Sequence, residues 1–523
     1  MRARLAGTPA DRAAGEAPYR VAMTSFVLRR ARLVDVDGAG VPDDPVDVRV
    51  TAGVVTAVGS DVADPGLPEV DAGGRWLLPG LWDQHVHLGQ WNLASARLDL
   101  GGVQSAAAAV ALVRERLGEW PDFPVIGWGH RPTGWPEEPV VSMLDAIETD
   151  QPIILIAGDG HHAWLNSTAL MMLAMPLREG VVAEAEWFRA YGRLATVLGD
   201  DGTGPEAYRR TMEQAAELGV VGLTDFEFSG GHEEWADRWV KGAGLLRIRM
   251  ATYADGLDGV IAAGLRTGDP LPGCDDRARM GPLKIISDGS LNTKTAWCCE
   301  PYAGPSPLGF PHGQPNQTPE ELRELLSRAT DHGLAVAVHA IGDRAVGDAL
   351  DAFGETGARG SIEHAQLVCR EDVKRMAVLG VTASVQPAHL LDDRDVSERL
   401  WPGRGDRSFA LRWMLDDGVR LAMGSDAPVA RLDPWLAMAA AVHRTGDDRE
   451  AWYPEQSITP REALAASTDG WGTVAEGHPA DLALVDADPL AHADDAPGVA
   501  ARHLRGTPVA ATWVAGEQVH DAL

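Results

Sequence analysis

Near its start the chain alternates apolar and polar positions in short runs. FVLRRARLVDV, VDVRVTAGVVTAVG and GGRWLLPG lie between residues 24 and 78, separated by Gly, Pro and Asp. A period of two puts successive side chains on opposite faces, so these runs read as short strands joined by turns. The same pattern returns at the other end in ADLALVDADPL and PVAATWVAGEQVH. Both ends are expected to meet in one small β-sandwich, built from 23–78 and 475–523.

Between them the pattern changes. LWDQHVH, GVVGLTDFEF, LLRIRMATYA, PLKIISDG, LAVAVHAIG, GSIEHA, GVTASVQP and GVRLAMGSD read as strands, with amphipathic stretches such as TPEELRELLSRATDHG and REDVKRMAVLG between several of them. Eight strands in βα alternation predict a (β/α)8 barrel over 79–474 rather than an open doubly wound sheet, within the α/β class. About 130 residues separate the first two strands, far more than a normal βα loop. A substantial insertion at about 90–215, over the barrel top, follows. It carries Trp120, Trp128, Trp135, Trp164 and Trp187. With Trp91 they suggest an aromatic, partly dry pocket.

Charge narrows the partners. With 46 basic and 76 acidic residues the net charge is −30, which disfavours nucleic acid and anionic membrane and favours solubility, and says nothing specific about the small-molecule substrate; a homodimer stays open. No apolar run reaches the ~18 residues of a membrane span. Four cysteines in 523 residues form no disulfide framework and no CxxC pair, which fits a reducing cytoplasm. Adjacent Cys298 and Cys299 read as small packing residues. Residues 1–22 lack the apolar core of a secretory signal and read as a disordered extension, with Met23 as an alternative start.

In such a barrel the chemistry sits at the C-terminal strand ends. There the predicted strands place His85 and His87, Lys284 with Asp288 just beyond, His339, His364, Gln386 and Asp426. Ala335 and Ala337 behind His339, and Ala422 and Gly424 behind Asp426, leave room in the lumen. Any one histidine of the 16 is more often a core or surface residue than a ligand. Four imidazoles and an aspartate at four strand mouths argue for a metal. Lys284 is no ligand as an ammonium, and a buried ion pair with Asp288 is its plain role. Yet the chain uses Arg almost everywhere and keeps only four lysines. That exception points to a carboxylated ε-amine, an anionic carbamate able to bridge two cations. Asp83 shares the face of His85 and His87 and is expected to orient an imidazole, or else to cap the barrel floor.

The stretches PGLWDQHVHL, DGHHAWLNSTAL, LKIISDGSLNTKTA, AVHAIGDRAV, IEHAQLV, SVQPAH, GSDAPV and GHPADLALVD resemble the amidohydrolase superfamily. Within it they resemble amidohydrolase family 3, which includes N-substituted formamide deformylases. The resemblance implies a metal-dependent hydrolase in which His85, His87 and Asp426 bind one cation and His339 and His364 a second, bridged by carboxylated Lys284. Asn292, Lys294 and His478 depart from the family pattern. Neutral imidazoles with oxygen ligands suit Zn2+, and no organic cofactor is expected. Asp426 is the expected catalytic acid/base. His161, Trp164 and Asn166 from the insertion, and Gln386 and His389 past the seventh barrel strand, are the candidate substrate contacts. The favoured reaction is hydrolysis of the C–N bond of N-substituted formamides or N-acyl amines. Alternatives on the same scaffold are a cyclic amide, carbamate, ester or amidine substrate; a non-enzymatic metal-binding relative is a third.

Overall fold

A computed structural model describes residues 25–523 apart from 61, 63, 120, 122–123, 131, 133–134, 158–161, 192, 195–203, 229–230 and 305–308. The extension expected over 1–22 lies outside the described residues.

Five N-terminal strands come first: β1 (Phe26–Leu33), β2 (Val46–Thr51), β3 (Val54–Gly59), β4 (Glu69–Asp71) and β5 (Trp76–Pro79). The chain then enters β6 (Leu81–Val86), the first barrel strand. An insertion follows with β7 (Leu98–Asp99), β8 (Val125–His130), β9 (Ile153–Ala157), β10 (His162–Leu165) and β11 (Val182–Ala183). The remaining barrel strands are β12 (Val220–Asp225), β13 (Arg247–Thr252), β14 (Ala278–Ile286), β15 (Val336–Ala340), β16 (Gly360–His364), β17 (Thr382–Val385) and β18 (Leu421–Met423). The chain ends with β19 (Leu482–Val485), β20 (Val509–Val514) and β21 (Glu517–Asp521).

All eight predicted barrel strands form one parallel sheet in the order β18-β17-β16-β15-β14-β13-β12-β6. Their near-continuous apolar runs suit strands covered on both faces, as in β12, where every residue is buried. The two ends of this sheet meet at their C-terminal tips, where Val86 bridges Ala427 in parallel. There Asp426 N donates to His85 O at 2.7 Å and His87 N to Ala427 O at 2.9 Å. The barrel therefore closes through the very residues that carry candidate ligands. Outer helices follow from local signals. Pro319–Asp331 starts on a Thr318/Glu321 capping box with Pro319 in its first turn. Asp343–Thr356 stops at Gly357, whose φ of 66° is left-handed.

The insertion is a layered unit with its own five-stranded sheet, ordered β11-β10-β9-β8-β7. Trp164 and Trp187 are fully buried within it and Trp128 and Trp135 pack against its cores, so its tryptophans stabilise the insertion itself. Trp120 lies outside the described residues. Strands from both chain ends do join: β5 pairs antiparallel with β19, giving one eight-stranded sheet ordered β21-β20-β19-β5-β1-β2-β3 with β4 on β1. Its inner residues share a core in which Phe26 stacks on Trp513 at 5.7 Å. Cys298 is buried as expected, but Cys299 is exposed, and all four cysteines are free thiols. Among the described residues no helix is long and apolar enough to cross a membrane.

Candidate metal centre

Alternation along β6 points Asp83 and His85 to one side, and His87 follows one residue beyond the strand. Asp83 does not orient an imidazole. Its Oδ1 accepts the backbone N–H of His85 at 3.1 Å and of Ser425 at 2.9 Å, which ties β6 to the turn after β18. Gly424 makes that approach possible, since a Cβ there would lie 2.6 Å from His85 N. The imidazole of His85 is held instead by Glu363, whose Oε2 lies 2.6 Å from His85 Nδ1. With the proton on Nδ1 donated to Glu363, the Nε2 lone pair is left facing the barrel axis.

Lys284, near the end of β14, brings Nζ to 3.1 Å from that Nε2 and to 4.1 Å from the Phe226 ring. The ion pair with Asp288 does not form. Asp288 accepts backbone N–H groups from Trp297, Ile341 and Gly342 at 2.8–3.0 Å, and so organises the loops after β14 and β15. His339 turns its Nε2 to within 3.4 Å of Asp288 Oδ1. Asp426 presents Oδ1 at 3.3 Å from His87 Nε2 and 3.6 Å from His85 Nε2, and Oδ2 at 3.8 Å from His389 Nε2. Two of these residues, His364 and Asp426, have left-handed φ values of 70° and 59°. Non-glycine residues adopt that conformation at a cost of about 1–3 kcal/mol, a strain concentrated at functional sites.

Burial sets the charge states. It pushes His85 and His364 well below the ordinary imidazole value and His339 down to about 4, with the Lys284 charge adding to the effect on each. Lys284 itself falls to about 8 because it is buried, against the pull of Glu363 and Asp426. Neutral imidazoles and a partly neutral amine are the forms that ligate metals or take up CO2. Donor atoms of His85, His87 and Asp426 lie within 4.8 Å of one another, as do those of His364, His389 and Asp426. His87 Nδ1, His364 Nδ1 and His389 Nε2 are buried without a hydrogen-bond partner. Such orphaned nitrogens beside a shared carboxylate fit a cation.

All six expected ligands (His85, His87, Lys284, His339, His364 and Asp426) line one cavity of about 490 Å3. Of the expected substrate contacts among the described residues, only His389 lines it. Trp164 is fully buried in the insertion and donates Nε1–H to Val140 O at 2.8 Å. Asn166 caps the helix Ser167–Met172, accepting from Ala169 N at 2.9 Å and Ile153 N at 3.0 Å. Gln386 is buried, donates to Ser384 O at 3.3 Å and does not reach the cavity. His161 lies outside the described residues. Trp91 packs against the barrel core, so the aromatic surface of the cavity is Phe228, stacked on His87 at 5.0 Å. Glu363, Gln366, Asp393 and Phe228 escaped the reading of the sequence. Glu363 and Gln366 carried a signal, flanking His364 within a single strand end.

Comparison with known proteins agrees with this architecture. A model of the amidohydrolase family matches residues 68–520. The chain is 30% identical over 451 residues to Protein LONG AFTER FAR-RED 3 of Arabidopsis thaliana, covering 77% of this chain and 75% of that protein. It is 26% identical over 539 residues to the N-substituted formamide deformylase of Arthrobacter pascens, covering 90% of this chain and 94% of that one. An uncharacterized metal-dependent hydrolase from Pyrococcus furiosus superposes with a TM-score of 0.70 at 25% identity, covering 89% of this chain and 100% of the other. The chain belongs to the amidohydrolase family and is a metal-dependent hydrolase of C–N bonds.

Proposed function

We propose that the protein hydrolyses N-substituted formamides or N-acyl amines to a carboxylate and a free amine. In this reading His85, His87 and Asp426 would hold one divalent cation and His339 and His364 a second, with Lys284, carboxylated at Nζ, available to both. Zinc suits the donor set. Bound there, such cations would polarise the scissile carbonyl and bring the pKa of an attacking water towards neutrality. Asp426 takes the proton of that water and returns it to the nitrogen as the C–N bond breaks, so the water oxygen stays on the acyl carbon and the amine leaves neutral. Glu363 keeps the His85 ring in one tautomer, and His389 contacts the substrate beside Asp426. Small neutral or cationic substrates suit an acidic chain, and four free thiols suit a reducing cytoplasm.

One observation carries the metal site of this reading: donor atoms of His85, His87 and Asp426 lie within 4.8 Å of one another, with Asp426 Oδ1 3.3 Å from His87 Nε2. The Arthrobacter pascens relative, a formamide deformylase by name, supports the substrate class. Release of formate and amine by metal-reconstituted protein across diverse N-acyl compounds tests it. Ammonia or a ring-opened acid as the product would assign a different bond.

A further inference from the structure

Part of the cavity wall carries charge that the hydrolytic step does not use. Asp393, in the helix His389–Leu400, lines the cavity and is only 8% exposed. Its Oδ1 accepts from Asn292 Nδ2 at 3.2 Å and its Oδ2 from Gln366 Nε2 at 2.9 Å. Both donors are neutral amides that line the same cavity. Arg449, which reaches this helix from a neighbouring loop, pairs with Asp395 instead. Asp393 also falls outside both groups of metal-competent donors. Next to it Asp392 is exposed on the same wall. At the start of the helix, the buried Nε2 of His389 has no hydrogen-bond partner and faces Asp426.

A buried carboxylate held only by neutral hydrogen-bond donors is costly in a partly dry site, and burial raises the Asp393 carboxyl above its ordinary value against the pull of His389. If its role were only to clip Asn292 to Gln366, a neutral side chain would do so without that penalty. Phe228, Ile286, Leu291, Ile341 and Val429 add an apolar stretch to the wall, beside the neutral polar Gln90 and Ser290. The cavity thus combines metal-competent donors, an apolar stem and an anionic patch. An alkyl chain with an ammonium at its far end matches all three.

We propose that the amine released by this enzyme carries a second, cationic group, as in an acylated diamine, whose ammonium pairs with Asp393 and Asp392. This rests on the C–N hydrolysis proposed for the same cavity and names its substrate class. It also shifts specificity away from purely hydrophobic N-substituents.

The test is a matched pair of substrates, N-formyl-1,5-diaminopentane and N-formylhexylamine, which exchange an ammonium for a methyl group at equal length. On the metal-reconstituted full chain, kcat/KM for the diamine derivative should exceed that for the alkylamine derivative by at least about tenfold, the size of a charge-assisted contact. Asp393→Asn should lower that ratio about threefold or more, and so should Asp392→Asn, an exposed position whose variant decides the matter if Asp393→Asn does not fold. Equal handling of the pair by wild type, or a ratio unchanged in Asp392→Asn and in any folded Asp393→Asn, would overturn the proposal. Turnover of neither compound would defeat the formamide reading, and calorimetric binding of the same pair to wild type then decides the specificity alone. Tighter binding of the diamine derivative, reduced in Asp392→Asn, upholds it; equal binding or none refutes it.

Discussion

Glu363 Oε2 lies 2.6 Å from His85 Nδ1, while the Lys284 amine stands 3.1 Å from Nε2 of the same ring. The carboxylate therefore fixes which nitrogen faces the cavity and strengthens it as a donor. Glu363→Gln keeps the shape and removes the charge. Metal affinity, read by competition with a chelator, should fall about 10–100-fold while the circular dichroism spectrum is retained. Unchanged affinity would show that the contact does not tune the centre.

Asp83 stitches the first barrel strand to the turn after the last through its bonds to His85 N and Ser425 N. Asp83→Ala leaves two buried N–H donors without a partner. A loss of about 2 kcal/mol or more is expected, since each orphaned donor costs about 1–3 kcal/mol. Denaturant unfolding of the metal-free protein measures it, and a variant as stable as wild type would dismiss the stitch.

The amine of Lys284 must be neutral to attack CO2. Burial lowers its pKa from 10.5 to about 8. The neutral fraction therefore grows as pH rises through about 8. At fixed dissolved CO2, the rate of filling the second metal equivalent should climb with a midpoint near pH 8. A midpoint near that of an ordinary lysine would mean that Lys284 is not perturbed as its burial requires.

His389 contacts Asp426 Oδ2 at 3.8 Å and lies near His364, yet it is assigned here to the substrate. His389→Ala should keep the wild-type metal content by elemental analysis and lose kcat/KM by about tenfold or more, the usual scale of one positioning or proton-handling contact. Loss of a full equivalent of metal would make it a ligand.

The barrel was legible because several of its strands, β12 and β15 among them, are dense apolar runs with a chemically distinctive residue at or near the end. Both faces of such a strand are covered, and composition alone then marks it. The metal-competent residues could be read from the same strand ends, since the fold brings those ends together wherever they lie along the chain. What neighbours do to each other was not legible. Asp83 was read from its face on β6, but the backbone N–H of His85 and that of Ser425, in the turn after β18, claim its carboxylate. Trp164 and Asn166 looked like substrate contacts because they sit in a distinctive motif. Asn166 followed by Ser167 and an apolar run is, physically, a helix N-cap, and the insertion uses it as one. Asp393 had no marker at all, because the amides that flank it come from residues 292 and 366.

The centre itself is tested most directly by anomalous diffraction from crystals grown with zinc and bicarbonate. Two anomalous peaks in the cavity are expected, one beside His85 and His87 and one beside His339 and His364, with density for a carboxyl group on Lys284 Nζ between them. A cavity without peaks, or peaks flanking an unmodified Lys284, would contradict the account.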